Sequence, residues 1–279
     1  MTDLYAVMGN PIQHSKSPQI HTQFAAQTSQ DMLYRAMLVP LAGFENAVHD
    51  FFKVGANSEV GKGLNITVPF KEQAFEVADT LTLRAQTAQA VNTLILQEDG
   101  SILGDNTDGA GLVEDLVANH EVPLQGRRIL VIGAGGAGRG ILQPFLHEQP
   151  ESITVVNRTF NKAQALADNF SEFGNISACE FAQLNAPFDV IINGTSASLS
   201  GELPPIPSSV IAAHTVVYDM MYGQELTPFL QWSQKNGAAK VLDGLGMLVG
   251  QAAVSFELWR DAQPDSQAVL LKMRQQLDL

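Results

Sequence analysis

Residues 128–138 read RILVIGAGGAG and decide the fold of the segment around them. The apolar run at residues 128–132 predicts a buried strand, and the glycines after it have G-x-G-x-x-G spacing. The first glycine permits a tight turn, the second lets a pyrophosphate approach the backbone, and the third lets helix and strand pack closely. The amino end of the following helix adds free amides and a partial positive charge. We therefore predict a dinucleotide-binding loop made of Gly133, Ala134, Gly135, Gly136, Ala137 and Gly138.

The sequence after this loop alternates between strand and helix patterns. Apolar runs predict strands at residues 153–156 and near residues 176, 190, 216 and 241. This alternation is typical of a doubly wound parallel sheet, the Rossmann fold. We therefore predict that residues 109–245 form a nucleotide-binding domain.

The end of the second predicted strand indicates which dinucleotide binds. Proteins selective for NAD usually carry a carboxylate there, which accepts hydrogen bonds from the ribose and repels a 2′-phosphate. This chain has Asn157, Arg158 and Thr159 instead, with Lys162 close behind. A guanidinium fork and a second cation suit a phosphate, so the pattern favours NADP(H) over NAD. The alternative is that Arg158 and Lys162 belong to an ordinary solvated face.

The first hundred residues alternate in the same way but end differently. β-rich runs at residues 5–8, 33–39 and 64–68 are separated by helical patterns. Two further runs flank Glu98-Asp99-Gly100, whose turn chemistry predicts an antiparallel hairpin. We therefore expect an α/β domain with a mixed sheet. We assign residues 1–108 and 246–279 to this substrate-binding domain, with the C-terminal helices returning to it.

Composition excludes several classes of function. The chain has 279 residues, with 29 acidic and 16 basic side chains and a formal charge of −13, which disfavours nucleic-acid binding. A single cysteine and the lack of a secretory pattern at the start predict a cytoplasmic protein. Residues 244–259 are too short and too polar to predict a membrane span. We expect no metal, and only surface or packing roles for five histidines that lack metal-ligand spacing: His21, His49, His120, His147 and His214. An acidic surface is compatible with a monomer or a homodimer.

Four short polar clusters stand where predicted strands end or helices begin. They are HSKSP at 14–18, NITVPFK at 65–71, AVNT at 90–93 and DNTD at 105–108. Small-ligand sites of α/β proteins form at such ends. Each cluster also has a structural explanation, because Ser17 and Thr107 suit helix N-caps, Asp108 suits a first helical turn and Lys71 suits an exposed surface.

Taken together, the clusters resemble the shikimate dehydrogenase family. The matching motifs run in order through the chain as HSKSP, NITVPFK, AVNT, GDNTDGAG, GAGGAGRG, NRT and DGLGMLVGQAA. The resemblance implies an NADPH-dependent, reversible reduction of 3-dehydroshikimate to shikimate, a step of aromatic amino acid biosynthesis. It also implies a small ring acid as substrate, bound in a cleft between the two domains.

The resemblance assigns roles residue by residue. Lys71 and Asp108 are the expected catalytic pair. The expected substrate-binding residues are Ser15 and Ser17 for the carboxylate, Thr67, Asn92, Asp108 and Gln251 for the ring hydroxyls, and Tyr222. The expected cofactor contacts outside the glycine loop and the strand that follows it are Thr195, Met220, Gly244 and Met247. For the two methionines, plain core packing is the alternative.

Two other functions stay open at this point. One is a quinate/shikimate dehydrogenase that uses NAD. The other is a catalytically silent NADP(H)-binding sensor, although the presence of both Lys71 and Asp108 argues against it.

Overall fold

The computed structural model describes residues 2–53, 61–195, 197 and 201–277. The chain divides into two compact units. The first unit comprises Met1–Gly111 and Leu248–Leu271, and the second comprises Leu112–Met247 and Lys272–Leu279. The division at Leu271 falls inside the last helix, so the C-terminal segment is shared between the units.

The first unit contains a mixed sheet. Its described strands are β1 (Asp3–Gly9), β2 (Met32–Leu38), β3 (Gly61–Ile66), β4 (Thr80–Leu81), β5 (Thr93–Leu96) and β6 (Ile102–Asp105), in the order β2-β1-β3-β5-β6-β4. Strand β1 pairs in parallel with β2 and β3, whereas β5 is antiparallel to both β3 and β6. The hairpin and the mixed sheet predicted from the sequence are confirmed.

The helices of the first unit begin with α1 (Ser17–Thr28) and α2 (Phe44–Phe52). They continue with α3 (Lys71–Val77), α4 (Leu83–Ala88) and α5 (Asp108–Glu114), although the last three residues of α5 belong to the second unit. A π-helical turn at Asp115–Asn119 follows α5 in that unit. The sequence pattern predicted neither α3 nor α4, nor the strand β4 between them. Helix α3 has seven residues, β4 has two and α4 has six, so each is too short for a helical or alternating period to be recognised.

Helix α2 shows how this unit builds its core. Its buried residues Phe44, Val48, Phe51 and Phe52 recur at helical spacing, so one apolar stripe faces the sheet. Phe44 also stacks on Phe70, with ring centroids 4.7 Å apart. This packing fixes the residue that immediately precedes α3, and Lys71 therefore begins that helix on a rigid base.

The second unit contains the predicted parallel sheet. Its described strands are β7 (Arg128–Ile132), β8 (Ser152–Val156), β9 (Ile176–Ala178), β10 (Val190–Asn193), β11 (Val216–Asp219) and β12 (Lys240–Leu242), in the order β12-β11-β10-β7-β8-β9. The pairs between neighbouring strands are parallel. The strand order reverses between β7 and β10, and ligands of such sheets bind at the carboxyl ends of strands beside that point.

The remaining helices are α6 (Gly136–His147), α7 (Phe160–Phe170), α8 (Pro228–Lys235), α9 (Leu245–Arg260) and α10 (Ser266–Gln276). Helix α6 starts at Gly136, so the last three residues of the glycine loop form its first turn. No helix in the described ranges combines the length and the apolar character that crossing a bilayer requires.

Candidate active site

The first unit brings Lys71 and Asp108 into direct contact. Each is the first residue of its helix, α3 and α5 respectively, and Lys71 Nζ lies 2.5 Å from Asp108 Oδ2. The lysine side chain is 17% exposed and the aspartate side chain 6% exposed. The lysine side chain is therefore partly open to solvent, while the carboxylate is held inside the protein. The idea that Lys71 is one more surface lysine is wrong.

Asn92 joins this pair to two other predicted site residues. Its Nδ2 donates to Asp108 Oδ1 at 2.8 Å and to Gln251 Oε1 on α9 at 3.3 Å. Its Oδ1 accepts from the backbone N–H of Thr107 at 2.8 Å. Because both ends of the amide are engaged, its orientation is fixed. The structure thus gathers Lys71, Asp108, Asn92 and Gln251 in one place.

A buried polar network that the sequence analysis did not predict extends from this group. Asn65 Nδ2 donates to Ser255 Oγ at 3.0 Å, and the Ser255 hydroxyl lies 2.8 Å from that of Thr93. Thr93 in turn donates to Asn92 Oδ1 at 2.9 Å. The available signal was Asn65 itself, a polar residue in the strand β3, which is otherwise apolar and buried at its carboxyl end.

His21 forms the far end of the network. Its Nε2 and the Tyr34 hydroxyl both form hydrogen bonds to Asn65 Oδ1, at 3.2 Å and 2.7 Å. The His21 ring also stacks on the Tyr34 ring, with centroids 4.1 Å apart. Complete burial lowers the pKa of His21 to about 3, although the hydrogen bond to Asn65 opposes that shift. Its Nδ1 has no hydrogen-bond partner among the described residues. His21 is therefore neutral at pH 7, and it fills the packing role expected for it.

The hydroxyl residues expected to bind the carboxylate lie near the start of α1. Ser17 is buried, and its backbone N–H donates a hydrogen bond to Ser15 Oγ at 3.4 Å. Ser17 also hydrogen-bonds to Tyr34, whose pKa burial raises well above its ordinary value. The prediction that Ser17 caps the helix is wrong, because Lys16 occupies the cap position and Ser17 is already helical. The Ser17 hydroxyl thus pairs with Tyr34, and its contact with a substrate remains a prediction.

Thr67 follows β3 and is half-buried. Its methyl group lies 2.4 Å from the position that a Cβ on Gly9 would occupy, so only glycine fits opposite it. In the part of the chain that the structure describes, no hydrogen bond joins Thr67 or Ser15 to Lys71 or Asp108. Contacts between these hydroxyls and a substrate remain predictions.

The glycine loop of the second unit has the geometry of a phosphate cradle. Gly133 adopts φ +108°, a conformation that favours glycine, and a Cβ on Gly138 would lie 2.3 Å from Gly133 O. A Cβ on Gly135 would meet no heavy atom within 4 Å, so open space lies there. Within the described residues, no side chain caps the amino end of α6. The loop therefore fits a dinucleotide pyrophosphate.

The residues after β8 lie beside this loop. Asn157 Oδ1 accepts from the N–H of Ala134 at 3.3 Å, and Asn157 Nδ2 donates to Thr159 O at 3.0 Å. Arg158 and Lys162 are exposed. Their exposure is compatible with binding a 2′-phosphate and equally with a solvated face, so their role remains a prediction.

Three of the other expected cofactor residues, Thr195, Met220 and Gly244, follow β10, β11 and β12, and Met247 lies in the first turn of α9. Thr195 Oγ1 donates to Asn193 Oδ1 at 2.7 Å, and a Cβ on Gly244 would lie 2.1 Å from Met220 O. Met220 and Met247 are each 8% exposed and belong to the apolar core. This burial agrees with the core-packing alternative, and a cofactor contact for either methionine remains a prediction.

Tyr222 belongs to the second unit, unlike the other expected substrate-binding residues. It follows β11 and is half-buried, and burial raises the pKa of its hydroxyl. Its contact with a substrate remains a prediction.

Family models match three successive parts of the chain. Residues 7–94 match the shikimate dehydrogenase substrate binding domain, residues 115–200 match shikimate/quinate 5-dehydrogenase, and residues 244–277 match the shikimate 5′-dehydrogenase C-terminal domain. Together the matches include Lys71, Asn92, Gln251 and the glycine loop.

Individual proteins are similar over nearly the whole chain. The shikimate dehydrogenase (NADP(+)) of Alkalilimnicola ehrlichii is 56% identical over 274 residues, covering 98% of this chain and 99% of the relative. The structure of an Ael1 enzyme from Pseudomonas putida is 43% identical with a TM-score of 0.90, covering 97% and 98% of the two chains. The shikimate 5-dehydrogenase of Thermus thermophilus, solved with NADP(H) and shikimate, is 30% identical with a TM-score of 0.86, covering 98% and 99%.

Proposed function

This chain belongs to the shikimate dehydrogenase family, and we propose that Lys71 and Asp108 are the pair that moves the proton in its reaction. The protein is an NADP-dependent oxidoreductase that reduces 3-dehydroshikimate reversibly to shikimate. The observation that carries the proposal is the 2.5 Å contact between Lys71 Nζ and Asp108 Oδ2, with the lysine side chain still partly exposed.

NADPH, when bound, supplies the hydride that adds to the ketone carbon. The electron pair of the C=O π bond then collects on the carbonyl oxygen, which becomes an alkoxide. The ammonium group of Lys71 stabilises that developing charge and transfers a proton from Nζ to the oxygen. In the direction of shikimate oxidation, the neutral amine accepts the hydroxyl proton.

Asp108 and Asn92 set the direction in which Lys71 acts. Asp108 Oδ2 holds the ammonium group, and Asn92 engages Oδ1, so the carboxylate cannot turn away. We assign Asp108 a second role as acceptor for a ring hydroxyl next to the reacting carbon. Which of the two groups is the formal proton donor is a property of the pair, because closely coupled groups titrate together.

The other side chains position the ring. Ser15 and Ser17 hold the carboxylate, while Thr67, Asn92 and Gln251 bind ring hydroxyls and Tyr222 completes the set. Hydroxyl and amide groups suit this task because they both donate and accept hydrogen bonds without adding charge. The net charge of −13 makes such local donors necessary for an anionic substrate.

We assign NADP(H) binding to the second unit. The amides of residues 133–138 and the amino end of α6 hold the pyrophosphate, and Arg158 with Lys162 holds the 2′-phosphate. Thr195, Gly244 and the two methionines line the remainder. A cytoplasmic location and a monomeric or homodimeric state stay predictions.

The test is the absorbance change at the nicotinamide with shikimate and NADP. Lys71→Ala should lower kcat by about 100- to 10,000-fold with a modest change in the KM for shikimate, because it removes a general acid and base. Lys62→Ala, an exposed lysine on β3, is the matched control and should keep normal turnover. Near-normal turnover of Lys71→Ala would refute the assignment.

The same assay separates the two alternatives. Quinate with NAD would be the better pair for a quinate/shikimate dehydrogenase. A silent sensor would reduce NADP with neither acid.

A further inference from the structure

Asp105, at the end of β6, carries a carboxylate that accepts hydrogen bonds from three residues. Arg84 donates twice, from Nε at 2.7 Å and from Nη2 at 2.5 Å, and Thr82 Oγ1 donates at 2.5 Å. The backbone N–H of Asn106 donates at 2.7 Å. The Asp105 side chain is 1% exposed. Burial alone would raise the pKa of Asp105, but these donors hold it below its ordinary value, so the group is an anion at pH 7.

This anchor, defined as Thr82, Arg84 and Asp105, is tied to the proposed catalytic pair through the backbone. Asp105 O accepts from the N–H of Asn92 at 3.0 Å. The side chain of Asn106 donates to Ala90 O at 2.9 Å and accepts from the N–H of Asp108 at 3.2 Å. Asn92 is therefore held by Asp105 itself, whereas Asp108 is held by Asn106, the next residue along the chain from Asp105.

We propose that Arg84 and Asp105 are positioning residues that hold Asp108 and Asn92 where Lys71 can act. The inference rests on the proposed role of Lys71 and Asp108. Neither anchor residue touches the pair directly, since Arg84 belongs to α4 and the Asp105 carboxylate faces that helix. A displacement of about 1 Å at a catalytic group can cost about 100-fold in rate. A carboxylate three residues before Asp108, saturated with donors, keeps that displacement small.

Arginine is specifically required in this geometry. Two parallel N–H groups meet the two oxygens of Asp105, Nε on Oδ1 and Nη2 on Oδ2. Lysine keeps the charge but offers a single nitrogen, so it cannot fix the plane of the carboxylate. Thr82 offers a milder test, because Thr82→Ser keeps the hydroxyl and Thr82→Val removes it at nearly the same size.

The experiment measures kcat and both KM values for shikimate oxidation. Arg84→Lys should lower kcat about 10-fold and leave the KM for NADP within about twofold. Thr82→Val should lower kcat by a smaller factor, and Thr82→Ser should restore it. Arg260→Lys is the matched control, because Arg260 is also a partly buried arginine of the first unit, 16% exposed, bound to Asp3 and Gln30. It should keep normal kcat.

A double-mutant cycle separates positioning from general loss of structure. If Arg84 acts through the pair, adding Arg84→Lys to Lys71→Ala should leave the residual kcat unchanged within about twofold. The proposal is overturned if the two losses multiply, if Arg84→Lys and Thr82→Val keep normal kcat, or if Arg260→Lys loses as much. Should Arg84→Lys fail to fold by circular dichroism, the Thr82 pair decides.

The inference and the proposed function fail in different ways. Normal turnover of Lys71→Ala would refute the assignment of the catalytic pair itself. A large loss of kcat in Lys71→Ala, together with normal kcat in the anchor variants, would refute only the positioning role.

Discussion

His21 should make the first unit lose stability as the pH falls from 7 to 5. Its pKa is about 3 in the folded protein, against 6.5 for an ordinary histidine. Because the folded pKa lies below the unfolded one, the unfolded chain binds the extra proton between these two values. Stability is thus fully present above pH 6.5 and falls as the pH drops below it. At pH 5 the loss is about 2 kcal/mol, from roughly 1.4 kcal/mol for each unit below 6.5.

The assay is urea unfolding at pH 7 and pH 5, followed by tryptophan fluorescence. The chain has two tryptophans, Trp232 in the second unit and Trp259 in the first. Trp259 lies 5.3 Å from the His21 ring, centroid to centroid, so a Trp232→Phe background makes fluorescence report the unit that contains His21. The pH-dependent loss should be about 2 kcal/mol smaller in His21→Gln, because its side chain does not titrate.

His49→Gln is the control, since its side chain is 46% exposed on α2. It should show the same loss as the parent chain. All other titrating groups contribute equally to each chain and cancel in the comparison. If His21→Gln lost as much stability between pH 7 and pH 5 as the parent, the account of His21 as a buried neutral group would be refuted.

Three further predictions concern the second unit. Arg158→Ala should raise the KM for NADP about 10-fold and leave that for NAD nearly unchanged, because it removes a charged partner of the 2′-phosphate; weaker NAD binding with unchanged NADP binding in steady-state assays would contradict this. Gly135→Ala and Gly138→Ala should both weaken NADP binding by titration calorimetry, but only Gly138→Ala should lower the thermal midpoint, since its Cβ would lie 2.3 Å from Gly133 O. Tyr218→Phe should destabilise the chain by about 1–3 kcal/mol in urea, because Tyr218 donates to buried Asp115 at 2.7 Å; an unchanged midpoint would contradict it.

The parallel sheet and the glycine loop could be predicted because their signals are local. Residues 128–138 combine strand, turn and helix start within eleven positions. The hairpin between β5 and β6 could likewise be predicted from its turn residues. The short elements α3, β4 and α4 were missed because their residues do not complete enough periods to reveal a pattern.

The site, too, was predicted in part: its motif residues could be read from the sequence, and the side chains that orient them could not. The motifs identified Lys71, Asn92, Asp108 and Gln251, which the structure gathers although Gln251 is 159 residues from Asn92. The partners that fix their orientation were not predicted. Arg84 meets Asp105 across 21 residues, and Ser255 meets Asn65 across 190. Such pairings depend on tertiary contacts that no local period encodes.

The position of Lys71 at the first residue of α3 has a thermodynamic consequence. The amino end of a helix carries a partial positive charge, which disfavours a cation there by roughly 0.3–1 kcal/mol. Asp108 begins α5 at the site where an anion is favoured, so one helix terminus opposes its charge and the other supports it. The seven-residue helix α3 therefore begins on a charge that its own dipole disfavours, and the ion pair with Asp108 offsets that penalty from outside the helix.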